Sequence, residues 1–387
     1  SYGGGLLGST RDMTERLMLD SILYWVEEFK VDGFRFDLMG DHDAETMEKI
    51  YERASEIHPD ILMLGEGWEV YEGDALDDVF QEDIMPADQG WMEYTETIGV
   101  FNDDIRDELK SGFPDEGEPR FLTGGPREVT RIIDNIKAQP HNFITTDPGD
   151  AIQYVASHDD LAFHDVIAVS AGLDPDHYQQ EIQQRIRLGN TMIMTSQGTA
   201  FMHGGQEYGR SKQFREETDE QPYSTNQGLD SEGKSFDYPY FVNDSYDSTD
   251  AINMFDWEKV RESGIHRETK EFTAGLIELR HSTDAFGLEN MELVEAKVEG
   301  VDSPDIDEQD LAVAYQTRED DNTSYLVIIN ADTETRTFEL DMNLEGAEIL
   351  VDGENAGTEE IMDPSGVIIE ENTVELSGLT PVVLKLK

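Results

Sequence analysis

Three short segments place an acid at the end of an apolar run. In DGFRFDLMG (32–40) the acid is Asp37, two residues after Arg35. Positions i and i+2 of a strand face the same way, so Arg35 and Asp37 share a face, and a neighbouring cation holds a carboxylate ionised. An ionised, oriented carboxylate suits a covalent nucleophile. A strand-end Asp in a structural salt bridge fits the same residues. ILMLGEGW (61–68) ends on Glu66, bracketed by Gly65 and Gly67, which permit tight turns and close approach of a ligand. Trp68 offers a flat face for stacking on a sugar. A turn glutamate and a core tryptophan are the plainer reading. YVASHDD (154–160) ends in Ser157-His158-Asp159. This His–Asp pair can serve vicinal hydroxyls, but it also fits a helix cap at Asp159 or Asp160, or a metal-binding histidine.

The elements that must carry these acids follow from apolar periodicity. Residues 12–30 predict an amphipathic helix with Met18, Ile22, Trp25, Val26 and Phe29 on one face. A short strand is expected over 34–39, a helix over 44–57 closed by His58-Pro59, and another strand over 61–64. This rhythm of roughly 30 residues points to βαβ units and a parallel sheet. Residues 72–150 are less regular, with a helix at 126–138. A strand is expected at 152–156, a helix at 179–196, a strand at 199–203 and a last helix at 266–281 carrying Phe272, Leu276 and Leu279. Residues 208–250 read as a long polar loop, which suggests a functional insertion. After residue 288 short β-rich runs such as LAVAYQT, SYLVIIN and VVLKL predict a small antiparallel sandwich. The expected fold is α/β: residues 1–287 form the C-terminal portion of a (β/α)8 TIM barrel, and 288–387 a β-sandwich. Acids at the ends of successive parallel strands converge in such a barrel, and two converging carboxylates are the minimal kit for glycoside hydrolysis.

DGFRFD, GEGW and YVASHD resemble the second, third and fourth signature regions of the α-amylase superfamily of glycoside hydrolases. RLMLDSILYWVEEFKVDGFRFDLMG, VFNDDIRDELKSG, SQGTAFMHGGQEYGRSK and NDSYDSTDAINMFDW are similar to type I pullulanases, the α-1,6 debranching branch. The likeness runs over residues 10–285. It implies that Asp37 is the nucleophile, Glu66 the general acid/base and Asp159 the stabiliser of the transition state. Arg35 would orient Asp37, His158 would contact the same sugar, and Trp68 would line a neighbouring subsite. Retention of configuration implies Asp37 and Glu66 carboxyls roughly 5–5.5 Å apart. Glu66 would need burial or carboxylate neighbours to stay protonated near neutral pH. Two features depart from the family pattern. Asp160 stands where the family carries Asn, and the family's first signature region is missing together with the first three barrel strands. The chain is therefore expected to belong to a longer polypeptide, or to pair with a chain supplying the missing N-terminal barrel half.

Composition narrows the partners. Eighty-six acids face 28 bases, a formal net charge of −58. Nucleic acid and anionic membranes would be repelled. The acids are spread between apolar runs, which fits a folded protein with an acidic surface suited to strong salt. There are no cysteines, so disulfides and thiolate metal sites are excluded. No run nears the ~18 apolar residues of a membrane span. The first residues, SYGGGLLGST, lack the basic and apolar regions of a signal peptide and read as a loop beginning in mid-protein. The expected partner is an α-glucan, at an extracellular site. No cofactor is required and no protein metal ligand is assigned. The superfamily leaves room for calcium, but no segment has EF-hand spacing. The competing readings are an α-1,4-acting amylase or neopullulanase, and a non-catalytic glucan-binding or assembly subunit.

Overall fold

The structure is a computed structural model, and it describes residues 7–71, 84–113, 115–216, 218 and 220–387. The start of the expected N-terminal loop, residues 1–6, and part of the irregular stretch, 72–83, lie outside the described residues. The chain divides into two compact units. One holds 1–102, 138–152 and 289–291; the other holds 103–137, 153–288 and 292–387.

The first unit begins with helix α1 (Asp12–Phe29), which ends at Lys30 in the left-handed region, φ 56°. Strand β1 (Gly33–Phe36) follows, then helix α2 (Ala44–Ser55) and strand β2 (Leu62–Gly65). Asp43 caps α2 by accepting from the Thr46 amide at 2.8 Å, the usual device for satisfying a helix's first donors. β1 and β2 pair in parallel, with Gly33 opposite Leu62 and Phe36 opposite Gly65. Strand β3 (Gly99–Phe101) pairs in parallel with β2, and the strand Ala151–Gln153 pairs in parallel with β3. The βαβ rhythm thus yields the parallel sheet it implies. A core including Met39, Met47, Ile50, Met63, Trp91 and Val100 packs under it. The face of α1 is narrower than expected. Val26 is buried, and Met18 and Ile22 pack against the core, but Trp25 and Phe29 stay 44% and 55% exposed. Those two rings instead pack on each other, 4.5 Å apart.

The second unit is built around the helices Phe163–Ala171, Pro175–Met194 and Ile265–His281. Phe272, Leu276 and Leu279 of the last helix are each 1% exposed. The β-rich C-terminal runs form a five-stranded and a three-stranded antiparallel sheet. Side chains alternate across a strand, and the strand Ala312–Arg318 uses both faces. Ala312 and Ala314 pack with Phe338 and Val374 of the smaller sheet, whereas Val313 and Tyr315 join the core formed by the helices. The expected polar loop at 208–250 holds a three-stranded antiparallel sheet of Gln213–Phe214, Thr225–Leu229 and Ser235–Val242. Other expected boundaries move by a few residues. The helix expected at 179 begins at Pro175, behind the capping Asp174.

Candidate active site

The register of β1 on β2 sets the geometry of the first two acids. Phe36 lies opposite Gly65, so the next residues, Asp37 and Glu66, leave adjacent strands side by side. The Glu66 amide donates to the Phe36 carbonyl at 3.0 Å, continuing the ladder past the strand ends. Arg35 joins the two acids. One of its guanidinium nitrogens donates to Asp37 Oδ1 and another to Glu66 Oε1. The guanidinium also lies 5.7 Å from the centre of the Phe101 ring. Glu66 is buried, with 4% exposure, whereas the Asp37 side chain is 65% exposed. Arg35, Asp37 and Glu66 therefore form one charged cluster.

The backbone around this cluster is tightly specified. β1 stops at Phe36, short of the expected Met39, because Leu38 turns into the left-handed region, φ 47°. Few residues other than glycine adopt that conformation. The turn aims the Leu38 amide at Glu66 Oε2, 2.8 Å away. The Gly40 amide donates to the Glu66 carbonyl at 2.9 Å. A Cβ on Gly40 would lie 1.9 Å from the Trp68 carbonyl oxygen, so a glycine is needed to seat half-buried Trp68. The glycines flanking Glu66 serve protein packing. A Cβ on Gly65 would meet Met39 Sδ at 2.5 Å, and one on Gly67 would meet Val100 Cγ1 at 2.4 Å.

The strand Ala151–Gln153, which ends as the chain enters the second unit, is followed by buried Tyr154–Ala156 and then by the exposed His158 and Asp159. His158 Nε2 lies 3.3 Å from Asp159 Oδ1. Asp160 adopts φ 60°. Asn and Asp tolerate this region better than other non-glycine residues, so the departure from the family's Asn leaves the local backbone satisfied. His203, in the HGGQE run, lies outside the site residues that the sequence points to. Burial pushes its pKa down to about 4, and the nearby Arg210, Lys212 and His158 push the same way. It is a neutral imidazole at neutral pH. Its sequence signal is the same as for the acids, a polar residue at the end of an apolar run.

Asp174, His177 and Asp237 of the second unit each place one ligand atom within 4.8 Å of the others. Two carboxylates with an imidazole suit a transition metal better than calcium, which prefers all-oxygen sites.

Residues 297–387 match the family described as SpuA C-terminal. The whole chain is 45% identical to pullulanase A of Streptococcus pneumoniae serotype 2 and covers 32% of that protein. Among solved structures, it superposes with a TM-score of 0.95 and 44% identity on the catalytic module of SpuA, a multi-modular glycogen-degrading pneumococcal virulence factor, in complex with an inhibitor. All of this chain and 56% of that one are covered. The Group B Streptococcus pullulanase SAP in complex with maltotetraose gives a TM-score of 0.93 at 46% identity, covering all of this chain and 51% of that one. The chain thus spans about a third of the curated relative's length.

Proposed function

This chain is homologous over its whole length to the pullulanases, glycoside hydrolases of the α-amylase superfamily, and we propose that it carries the catalytic carboxylates of a retaining hydrolase cleaving α-1,6 bonds in pullulan, amylopectin or glycogen-type glucans. The observation that carries the proposal is the pairing of Asp37 and Glu66 on adjacent parallel strands with Arg35 bound to both. Asp37 attacks the anomeric carbon and forms the covalent glycosyl intermediate. Glu66 donates its proton to the departing glycosidic oxygen, then takes one from the water that releases the sugar. Arg35 keeps Asp37 ionised and aimed, and it releases Glu66 when Glu66 takes up the proton for the acid step. Asp159 stabilises the distorted sugar in the transition state, His158 binds the same sugar, and Trp68 lines a neighbouring subsite. The bound inhibitor and maltotetraose in the related structures support an oligosaccharide ligand.

We further propose that residues 1–287 are part of a (β/α)8 barrel and 288–387 a β-sandwich, the remaining barrel strands coming from the same longer polypeptide or from a second chain. Two observations support this. β1 stands at the edge of its sheet among the described residues, and an open edge is a liability in a folded protein. The exposed Trp25 and Phe29 on α1 offer an apolar face to pack against. An acidic surface and a polymeric substrate favour an extracellular site.

Product analysis on pullulan tests the reading. Maltotriose is the expected product, and Glu66→Gln should lower the rate by at least about 10²-fold, the lower end for a lost general acid. Panose would indicate α-1,4 cleavage instead. Full activity of the Glu66→Gln variant would refute the assignment of Glu66, and binding of glucan without cleavage would favour a non-catalytic subunit.

A further inference from the structure

The polar stretch 208–250 begins by burying a lysine. Lys212 is 1% exposed. Its ammonium donates to the Asp160 carbonyl at 2.6 Å, the Asn243 carbonyl at 2.8 Å and Ser245 Oγ at 3.4 Å. An ammonium has three donors, and all three meet neutral oxygens. Burying such a charge is costly, and burial accordingly pushes the Lys212 pKa down, with Asp165 opposing. A leucine or methionine would fill the space without that cost, so the charge calls for a role.

Its first contact supplies one. The peptide unit joining Asp160 to Leu161 is held from both ends. Lys212 binds its oxygen, and Glu116 Oε1 accepts from its N–H, the Leu161 amide, at 3.0 Å. A cation at the oxygen and an anion at the hydrogen both favour the same direction of the peptide dipole. The peptide follows directly on Asp160, whose left-handed φ of 60° needs support from its surroundings. Lys212 is itself anchored. Its amide donates to Asp165 Oδ2 at 2.6 Å, and Asp165 Oδ1 accepts from Ser211 Oγ at 2.6 Å. His164 Nδ1 lies 2.9 Å from the same Asp165 oxygen, and Asp165 is fully buried.

We propose that Lys212 and Glu116 are positioning residues that clamp the Asp160–Leu161 peptide and so fix the aim of Asp159. The inference rests on the hydrolase reading above, in which Asp159 acts on the transition state. It also gives the 208–250 sheet a purpose, since Lys212, Asn243 and Ser245 all come from that stretch.

The test uses the full-length natural protein. Lys212→Met and Glu116→Ala are compared with wild type for kcat on pullulan and for maltotetraose affinity. Both should lower kcat by about 10²-fold, the scale of a ~1 Å misplacement of a reacting group, while maltotetraose affinity stays within about twofold. Glu116→Gln, which keeps an acceptor for the Leu161 amide, should recover most of the rate. Because the clamp acts through Asp159, adding either variant to Asp159→Asn should cost far less than it does in wild type, as expected for coupled residues. A folded Lys212→Met with wild-type kcat, or an undiminished cost in the Asp159→Asn background, would overturn the inference. If circular dichroism shows Lys212→Met unfolded, Glu116→Ala decides the matter on the same readouts, since Glu116 is only partly buried. A wild-type protein that releases no sugar from pullulan overturns the hydrolase reading itself. Activity that depends on Asp159 but not on the clamp overturns only this inference.

Discussion

Asp150 should make the protein less stable at neutral pH than its packing alone would allow. It is 2% exposed and sits just before the strand that leads to His158 and Asp159. Its Oδ2 accepts from the Thr146 amide at 2.7 Å, the Asp147 amide at 2.9 Å and the Thr146 hydroxyl at 3.3 Å. Those donors favour the ionised form, but burial outweighs them, and the nearby Asp147 adds repulsion. The pKa is pushed up from 3.8 to about 6. The folded state therefore holds the proton more tightly than the unfolded state. This contribution to stability is fully present below pH 3.8 and is lost as pH rises through about 6. At about 1.4 kcal/mol per pH unit between 3.8 and about 6, the loss amounts to about 3 kcal/mol at pH 7. Asp150→Asn keeps a carbonyl oxygen for the three donors and removes the charge. The variant should exceed wild type by up to about 3 kcal/mol above pH 7 and converge on it near pH 4. Urea unfolding of both proteins from pH 4 to 8 at fixed KCl measures this, because the titration of the other acids cancels in the difference. A difference that does not change with pH, or an Asn variant that loses ground as pH rises, would refute the reasoning.

Two further outcomes follow from packing and charge. Gly40→Ala should cost about 3 kcal/mol, the upper range for overpacking, because the new Cβ would lie 1.9 Å from a backbone oxygen of Trp68 that cannot swing away; thermal melting of the variant checks this. The net charge of −58 should make the melting temperature rise from low to molar KCl, where the Debye length shrinks to about 3 Å. A flat or falling salt dependence would remove the argument for a salt-adapted surface.

How much of this could be read from the sequence depended on whether apolar residues carried the pattern. The helix Ile265–His281 was legible because Phe272, Leu276 and Leu279 recur at helical spacing and all three are buried. The C-terminal strands were legible because they are short, nearly continuous β-rich runs, as befits strands of a sheet packed on both faces. The sheet at 213–242 was not. TNQGL is mostly polar, and in SFDYPYFV, interrupted by Asp237 and Pro239, only Phe236, Phe241 and Val242 are buried apolar residues. Trp25 and Phe29 failed in the opposite direction. They fall at the right spacing, but periodicity reports that a face is apolar and not what covers it.

The acids were legible for a different reason, and what positions them was not. Each ends an apolar run, so a parallel sheet must place Asp37 and Glu66 at the same edge. Whether they are neighbours depends on register. Phe36 opposite Gly65 makes the next residue of each strand an acid; a slip of one residue would turn one of the two side chains to the other face. Arg35 shows the same limit. Its bond to Asp37 follows from spacing of two, whereas its bond to Glu66 spans 31 residues and exists only because of that register. The Leu38 amide has no sequence signal, since it reaches Glu66 through a backbone conformation that leucine seldom adopts. Nor did Gly65 and Gly67 reveal their function, because a glycine kept for Met39 and Val100 looks the same as one kept for a ligand. Side-chain chemistry can thus be read locally, but its alignment depends on pairings and turns that only the fold supplies.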